Sequence, residues 1–113
     1  MNDFLLILHN PSDSPFHKMS PEDMQSVIAR YGAWAGQMAS QGRLKGGHKL
    51  EDGTVRHMSG RTVTDGPFPE TKEVVGGYFL ITAASYDEAV EMASTFPHLD
   101  FGRIEVRRIE PTM

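Results

Sequence analysis

Five consecutive apolar residues, Phe4-Leu5-Leu6-Ile7-Leu8, sit between Asp3 and the chain breaker Asn10-Pro11. A run this short and this abruptly ended suits a strand buried on both faces better than a helix. It is far below the roughly 20 apolar residues that cross a membrane. The acidic Asp3 beside it is not the flank of a signal peptide. A second run, Val74 to Thr82, is again apolar on both sides, with Val75, Phe79 and Ile81 on one and Val74, Tyr78 and Leu80 on the other. Two strands that need cover on both faces set the problem that the rest of the chain has to solve.

Between them lies one helix. Ser20 can cap a free amide, Pro21 suits the first helical position, and Glu22 and Asp23 face the positive end of the helix dipole. Met24, Val27, Ile28, Tyr31, Ala35 and Met38 recur on one stripe at helical spacing, and Gly42 is placed to terminate it. Gly32 and Gly36, four apart beside that stripe, suggest a close approach to a sheet or a ligand. Leu44 to Leu50 reads as a strand with Leu44, Gly46, His48 and Leu50 on one face. Asp52-Gly53 and Asp65-Gly66 are turn signals around weaker extended pieces, Thr54 to Met58 and Arg61 to Thr64. Ser85-Tyr86-Asp87-Glu88 has the capping-box pattern and opens a second helix that Pro97 ends. Arg103 to Ile109 closes the chain as a strand with Ile104 and Val106 inward.

The order is therefore β-α-β-(hairpin)-β-α-β. Right-handed crossovers place both helices on one face of an antiparallel sheet, the ferredoxin-like α+β arrangement. Length agrees, because 113 residues make one domain, residues 1–113, with a core that needs no staples. The chain has no cysteine, which excludes disulfides and thiolate metal sites and fits a reducing cytoplasm. A net charge of −4, from 11 basic and 15 acidic residues, argues against nucleic acid as a partner. The expected setting is cytoplasmic, away from any membrane.

Two helices cover one face of the sheet, yet both long strands are apolar on the other face as well. An exposed apolar sheet of that extent aggregates unless something covers it. A second copy under two-fold symmetry is the simplest cover, so the expectation is a homodimer through the sheet face, enclosing a cavity or a shared core. The competing expectation is that residues 51–73 fold back over the sheet.

The stretch Val63-Thr64-Asp65-Gly66-Pro67-Phe68-Pro69-Glu70-Thr71-Lys72-Glu73, followed by Gly76-Gly77-Tyr78-Phe79, resembles the DGPF family, grouped with the YCII-related proteins in the dimeric α/β-barrel superfamily. Asp65-Gly66-Pro67-Phe68 is the namesake motif. Tyr31 with Gly42, and the final Gly102-Arg103-Ile104-Glu105-Val106-Arg107, extend the resemblance over essentially the whole chain. It implies the ferredoxin-like fold and a face-to-face dimer. It also implies that a histidine in the first helix and an aspartate before the last strand form a reactive pair. Here those positions hold Tyr31 and Phe96, so that pair is not carried over. Association with extracytoplasmic-function sigma factors is a further implication of the resemblance.

The residues able to do chemistry are few. Asp65, in a loop entering a strand, is a candidate acid or base; an Asp before Gly-Pro equally stabilises a turn. His48 is either a satisfied core histidine or a polar group pointing into a cavity. His98, beside Pro97, is either a titratable group displaced from the aspartate position or a loop histidine in solvent. Tyr31 on the buried stripe needs a partner for its hydroxyl, whether in the core or in a cavity. Trp34, Lys72, Tyr78, Glu105 and Arg107 are candidate ligand contacts. Trp34 can wall a site or pack, Lys72 with Glu70 can meet an anion or stay solvated, and Glu105 with Arg107 can clamp a ligand or form a cross-subunit salt bridge. The spacing of the five histidines recommends no metal site, and no cofactor motif is present. The function classes left open are an enzyme working without a cofactor on a small molecule, a ligand-sensing or regulatory module, and a dimerisation scaffold.

Overall fold

The computed structural model describes residues 1–51, 53–66 and 73–111. The elements are β1 (Asn2–Pro11), α1 (Pro21–Ser40), β2 (Leu44–Lys49), β3 (Val55–Ser59), β4 (Thr62–Gly66), β5 (Glu73–Ala83), α2 (Tyr86–Ser94) and β6 (Arg103–Arg108). Single 3-10 turns at Pro15–Lys18 and Pro97–Asp100 precede α1 and β6. The main sheet is antiparallel, in the order β2-β5-β1-β6, with β1 and β5 central. Both helices pack on one face, so the ferredoxin-like class expected from the element order is the observed one. No helix among the described residues is long and apolar enough to cross a membrane.

Alternation along β1 sorts its side chains. Phe4, Leu6 and Leu8 are buried under the helices, whereas Leu5 and Ile7 lie on the opposite face and are half-buried. From α1, Trp34 and Met38 enter the same core, and from α2, Ala89 and Ala93 do. The core closes on Phe96, whose ring stacks on Trp34 with centroids 4.3 Å apart and planes 6° from parallel. Trp34 Nε1 donates to Thr95 Oγ1 at 3.0 Å, so the indole is fully engaged in packing. Gly32 and Gly36 mediate no close approach: a Cβ built at either meets nothing within 4 Å. They lie on the exposed side of α1.

Local signals set the helix ends. Ser20 Oγ accepts from Asp23 N at 3.1 Å, and Ser85 Oγ from Glu88 N at 3.1 Å. The Glu88 carboxylate reaches Ala84 N rather than the cap's own amide and also binds Arg43. Those two donors hold its carboxyl below the usual carboxylate range. Gly42, at φ 70°, follows α1, with Arg43 N bonded back to Met38 O at 2.9 Å.

Three strand readings change. The bulge between Leu8 and His9 sets Val75 opposite His9 on the open face and Val74 opposite Asn10 on the helix side, so Val75 does not share a face with Phe79 and Ile81. Leu44 pairs with Ile81 and Gly46 with Leu80, so a bulge intervenes and puts Leu44 on the helix side while His48, opposite Tyr78, lies on the open face. The simple alternation that grouped Leu44 with His48 fails at that extra residue. Asp65-Gly66 is the end of β4 and not a turn. The hairpin turns at Gly60-Arg61, with Gly60 at φ 59°.

Replacing Phe96 by Ala is expected to cost about 3–5 kcal/mol of unfolding free energy in urea denaturation, because a fully buried ring leaves a cavity. Val90→Ala, at an exposed site on α2, is expected to change it by less than about 0.5 kcal/mol.

Candidate functional site

The core ends at Leu8, and beyond it the sheet offers little side chain. Gly47 on β2 and Gly76 and Gly77 on β5 give the floor no side chains of its own, so the Phe79 ring lies against Gly47 and the Asn10 amide against Gly76, and α1 continues above toward its N-terminus. The space between is a cavity of about 280 Å³. Leu8, Phe16, Met24, Val27, Ile28 and Phe79 give it apolar walls. Ile28 is 62 % exposed although it continues the apolar stripe of α1, because it stands at the rim of this cavity. Phe16 arrives from the 3-10 turn before α1 and packs against Phe101.

Tyr31 and His98 stand together at this cavity. Tyr31 Oη lies 2.6 Å from His98 Nδ1, and His98 Nε2 lies 3.0 Å from the backbone carbonyl of His9. A carbonyl oxygen can only accept, so Nε2 carries the proton and Nδ1 is the acceptor. Tyr31 therefore donates its hydroxyl to the imidazole and keeps its oxygen lone pairs for whatever enters the cavity. His98 is 2 % exposed, not a loop residue in solvent. Burial pushes its imidazolium pKa below 6.5, and the bonds to backbone at His9 and Arg103 only partly oppose this. Burial also pushes the Tyr31 hydroxyl well above the usual phenol range, with the nearby Arg30 charge opposing and Asp100 adding to it.

The pair depends on Gly102. A Cβ there would stand 2.1 Å from the His9 carbonyl oxygen and 3.0 Å from His98 Nε2. The chain can cross so close to β1 only without a side chain. The Pro97–Asp100 turn then delivers His98 from the end of α2 to the tyrosine on α1.

The other candidates lie elsewhere. Trp34 is in the core. The Asp65 side chain is 85 % exposed on the β3–β4 hairpin, 3.5 Å from Arg56, away from the cavity. It stands within β4 and not in a loop entering a strand, and β3 and β4 form their own two-stranded sheet. Lys72 and Glu70, with Pro67-Phe68 of the namesake motif, lie outside the described residues. Glu105, Arg107 and Tyr78 are on the open face of the sheet. There His9 Nε2 bonds Glu105 Oε1 at 2.9 Å, Arg107 approaches Glu105 at 3.7 Å, and His48 Nδ1 bonds Tyr78 Oη at 2.8 Å. The bond from His9, with the cationic arginines nearby, holds the Glu105 carboxyl below its usual range. His48 borders the cavity from the floor while its ring is turned to Tyr78. Among the described residues no group of three or more His, Asp or Glu gathers to hold a metal.

Two cavity residues went unrecognised in the sequence. Asn10 passed for the start of a loop, but β1 continues through Pro11 and carries it into the wall. Phe16 stands on a capped 3-10 turn, with Ser14 Oγ accepting from Phe16 N at 3.2 Å, and the Ser14-Pro15 pair is the available sign of that turn in the sequence.

Fold and site together define a small ferredoxin-like α+β domain with an apolar cavity and a buried tyrosine–histidine pair. The chain belongs to the YCII-related domain family, whose model matches residues 4–112. It is 46 % identical over 88 residues to the uncharacterized protein R00369 of Rhizobium meliloti (strain 1021), covering 75 % of this chain and 68 % of that one. Among solved structures it is similar to the 5-chloro-2-hydroxyhydroquinone dehydrochlorinase TftG of Burkholderia phenoliruptrix AC1100, in complex with 2,5-dihydroxybenzoquinone. The TM-score is 0.51 at 16 % identity, over 96 % of this chain and 93 % of that one, a likeness of fold.

The direction of the His98 shift sets a pH dependence. An unfolded chain binds the proton near pH 6.5 and the folded one only below it, so stability is full above that value and falls as the pH drops through it. Urea midpoints taken from about pH 7.5 down to about 5.5 should decline, and His98→Gln should flatten the slope. Parallel profiles for the two proteins would contradict a neutral buried imidazole.

Proposed function

We propose that this protein binds a small, largely apolar ring compound in the cavity between α1 and the sheet and moves a proton on it through Tyr31 and His98. The observation that carries this reading is the tautomer: the His9 carbonyl holds Nε2–H, so a neutral imidazole presents Nδ1 to the Tyr31 hydroxyl. A ligand proton passes to Tyr31 Oη as the tyrosine's own proton passes to His98 Nδ1. The resulting imidazolium is held by the His9 carbonyl. Because burial disfavours a free tyrosinate, the two transfers are coupled, and the reverse pair returns a proton to a different ligand atom. The chemistry is isomerisation, or elimination from an activated ring.

Size supports the ligand class. A cavity of about 150 Å³ holds benzene, and this one, at about 280 Å³ with Phe16, Tyr31 and Phe79 in its walls, fits one substituted ring. A protein of the same fold is described as a complex with a dihydroxylated one-ring quinone, which is in keeping with that size.

The same reading includes a homodimer through the open face of the sheet. Leu5, Ile7 and Leu80 form its half-buried centre, and the His9–Glu105, His48–Tyr78 and Lys45–Asp3 pairs surround them. The polar groups of that rim are already matched within one chain, leaving the apolar centre to be covered. The molecule extends 41 × 38 × 19 Å, so its broad face is ample for the roughly 800 Å² per partner that a standard interface buries.

Hydroxylated one-ring compounds that stabilise the protein thermally should exchange a carbon-bound hydrogen for deuterium in its presence, followed by NMR. Tyr31→Phe should slow that exchange by about 10²–10⁴-fold, well beyond the roughly tenfold loss of affinity that one hydrogen bond accounts for. Equal exchange by wild type and variant would refute the role of the hydroxyl. Light scattering at micromolar concentration should give a dimer mass, and Leu80→Glu should give a monomer.

A further inference from the structure

We propose that Asn10 selects the ligand: its side-chain carbonyl accepts a hydrogen bond from a second polar group. The cavity then takes a ring bearing a hydroxyl or amino donor in addition to the group at Tyr31. This rests on the ligand-binding reading of the cavity and adds the feature that separates one ring compound from another.

Asn10 lies two residues beyond Leu8 on the same face of β1, so it lines the cavity that Tyr31 and His98 also line. Its Oδ1 is cut off from solvent, and no donor among the described residues reaches it. A buried amide oxygen left bare is costly, and native proteins rarely leave one without a partner. Donors that line the same cavity have partners of their own: the Tyr31 hydroxyl at His98, His98 Nε2–H at the His9 carbonyl, and Lys49 Nζ at the Leu50 carbonyl. In walls that are otherwise mostly apolar, the Asn10 amide is a polar contact that the Tyr31–His98 chemistry does not use.

Gly76 sets where that amide lies. A Cβ on Gly76 would fall 2.2 Å from Asn10 Nδ2 and 3.6 Å from Oδ1, so the amide sets its nitrogen against the bare backbone of Gly76. The terminal torsion of an asparagine is broad and roughly two-fold. Turning it brings the oxygen toward a ligand donor without moving the strand. A ring held between α1 and the sheet thus meets Tyr31 from the helix and Asn10 from β1, two polar contacts from two different elements.

The test uses phenol, the three dihydroxybenzenes and their mono-methyl ethers, titrated into the full-length protein and followed by NMR. For wild type, at least one dihydroxybenzene should bind about tenfold more tightly than its own ether, the effect of one hydrogen-bond donor. Asn10→Leu should remove that preference while phenol affinity stays within about threefold. Asn10→Asp, which retains an acceptor, should keep it. Gly76→Ala reads the same contact if Asn10→Leu does not fold, because its Cβ displaces the amide and should also lower the preference. Phenol binding with no preference in wild type, as when a water alone satisfies Oδ1, overturns the role of Asn10 and leaves the cavity reading standing. So does a preference that persists in Asn10→Leu, or in Gly76→Ala. Failure of every compound to shift a cavity resonance overturns both.

Discussion

β1 is hydrogen-bonded on both sides, to β5 and to β6, and everything else is arranged around that double pairing. A strand in that position has no free edge, so its side chains alone decide what lies above and below it. Phe4, Leu6 and Leu8 draw both helices onto one face. Leu5 and Ile7 leave the opposite face apolar at its centre. Past Leu8 the strand carries Asn10 beneath the start of α1, where β2 and β5 supply glycine. The change from large to absent side chains along one pair of strands turns a packed core into a cavity without any change in topology.

The same strand links core and site through its backbone. The His9 carbonyl, at the bulge where β1 shifts register against β5, accepts from His98 on the helix side. The His9 ring meanwhile bonds Glu105 on the open face. One residue thus touches the Tyr31–His98 pair by its main chain and the prospective dimer surface by its side chain. Burial keeps His98 neutral because a charged imidazole would lose its solvation without gaining a counter-charge. Neutrality makes Nδ1 an acceptor, and an acceptor at that point turns a tyrosine in a core stripe into a polar group with chemistry.

Membership of the YCII-related family and a ferredoxin-like fold account for the architecture, while the chemistry of the cavity rests on its own polar residues. Tyr31 and His98 meet near the positions where the family resemblance implied histidine and aspartate, with the roles of the two elements exchanged: the imidazole now comes from before the last strand and its partner from the helix. A hydroxyl and an imidazole can pass a proton between them as a carboxylate and an imidazole can, but without a fixed negative charge.

What was legible in the sequence was whatever local periodicity and caps control. The doubly apolar runs marked β1 and β5. Ser20-Pro21 and Ser85 with Glu88 marked where the helices start, and Ile104 and Val106 gave the inward face of β6. Parity holds until a bulge interrupts it, so alternation alone groups His48 with Leu44 although the two lie on opposite faces. Tyr31, His98 and Ile28 were visible as individuals, but nothing local revealed their environment. Sequence spacing cannot report that a residue 67 positions away will be brought within 2.6 Å. Local composition, acting through backbone propensity and side-chain alternation, determined the elements and their buried faces. Tertiary structure decided the site, because hydrogen-bond partners, burial and the protonation they impose exist only once distant segments are packed together.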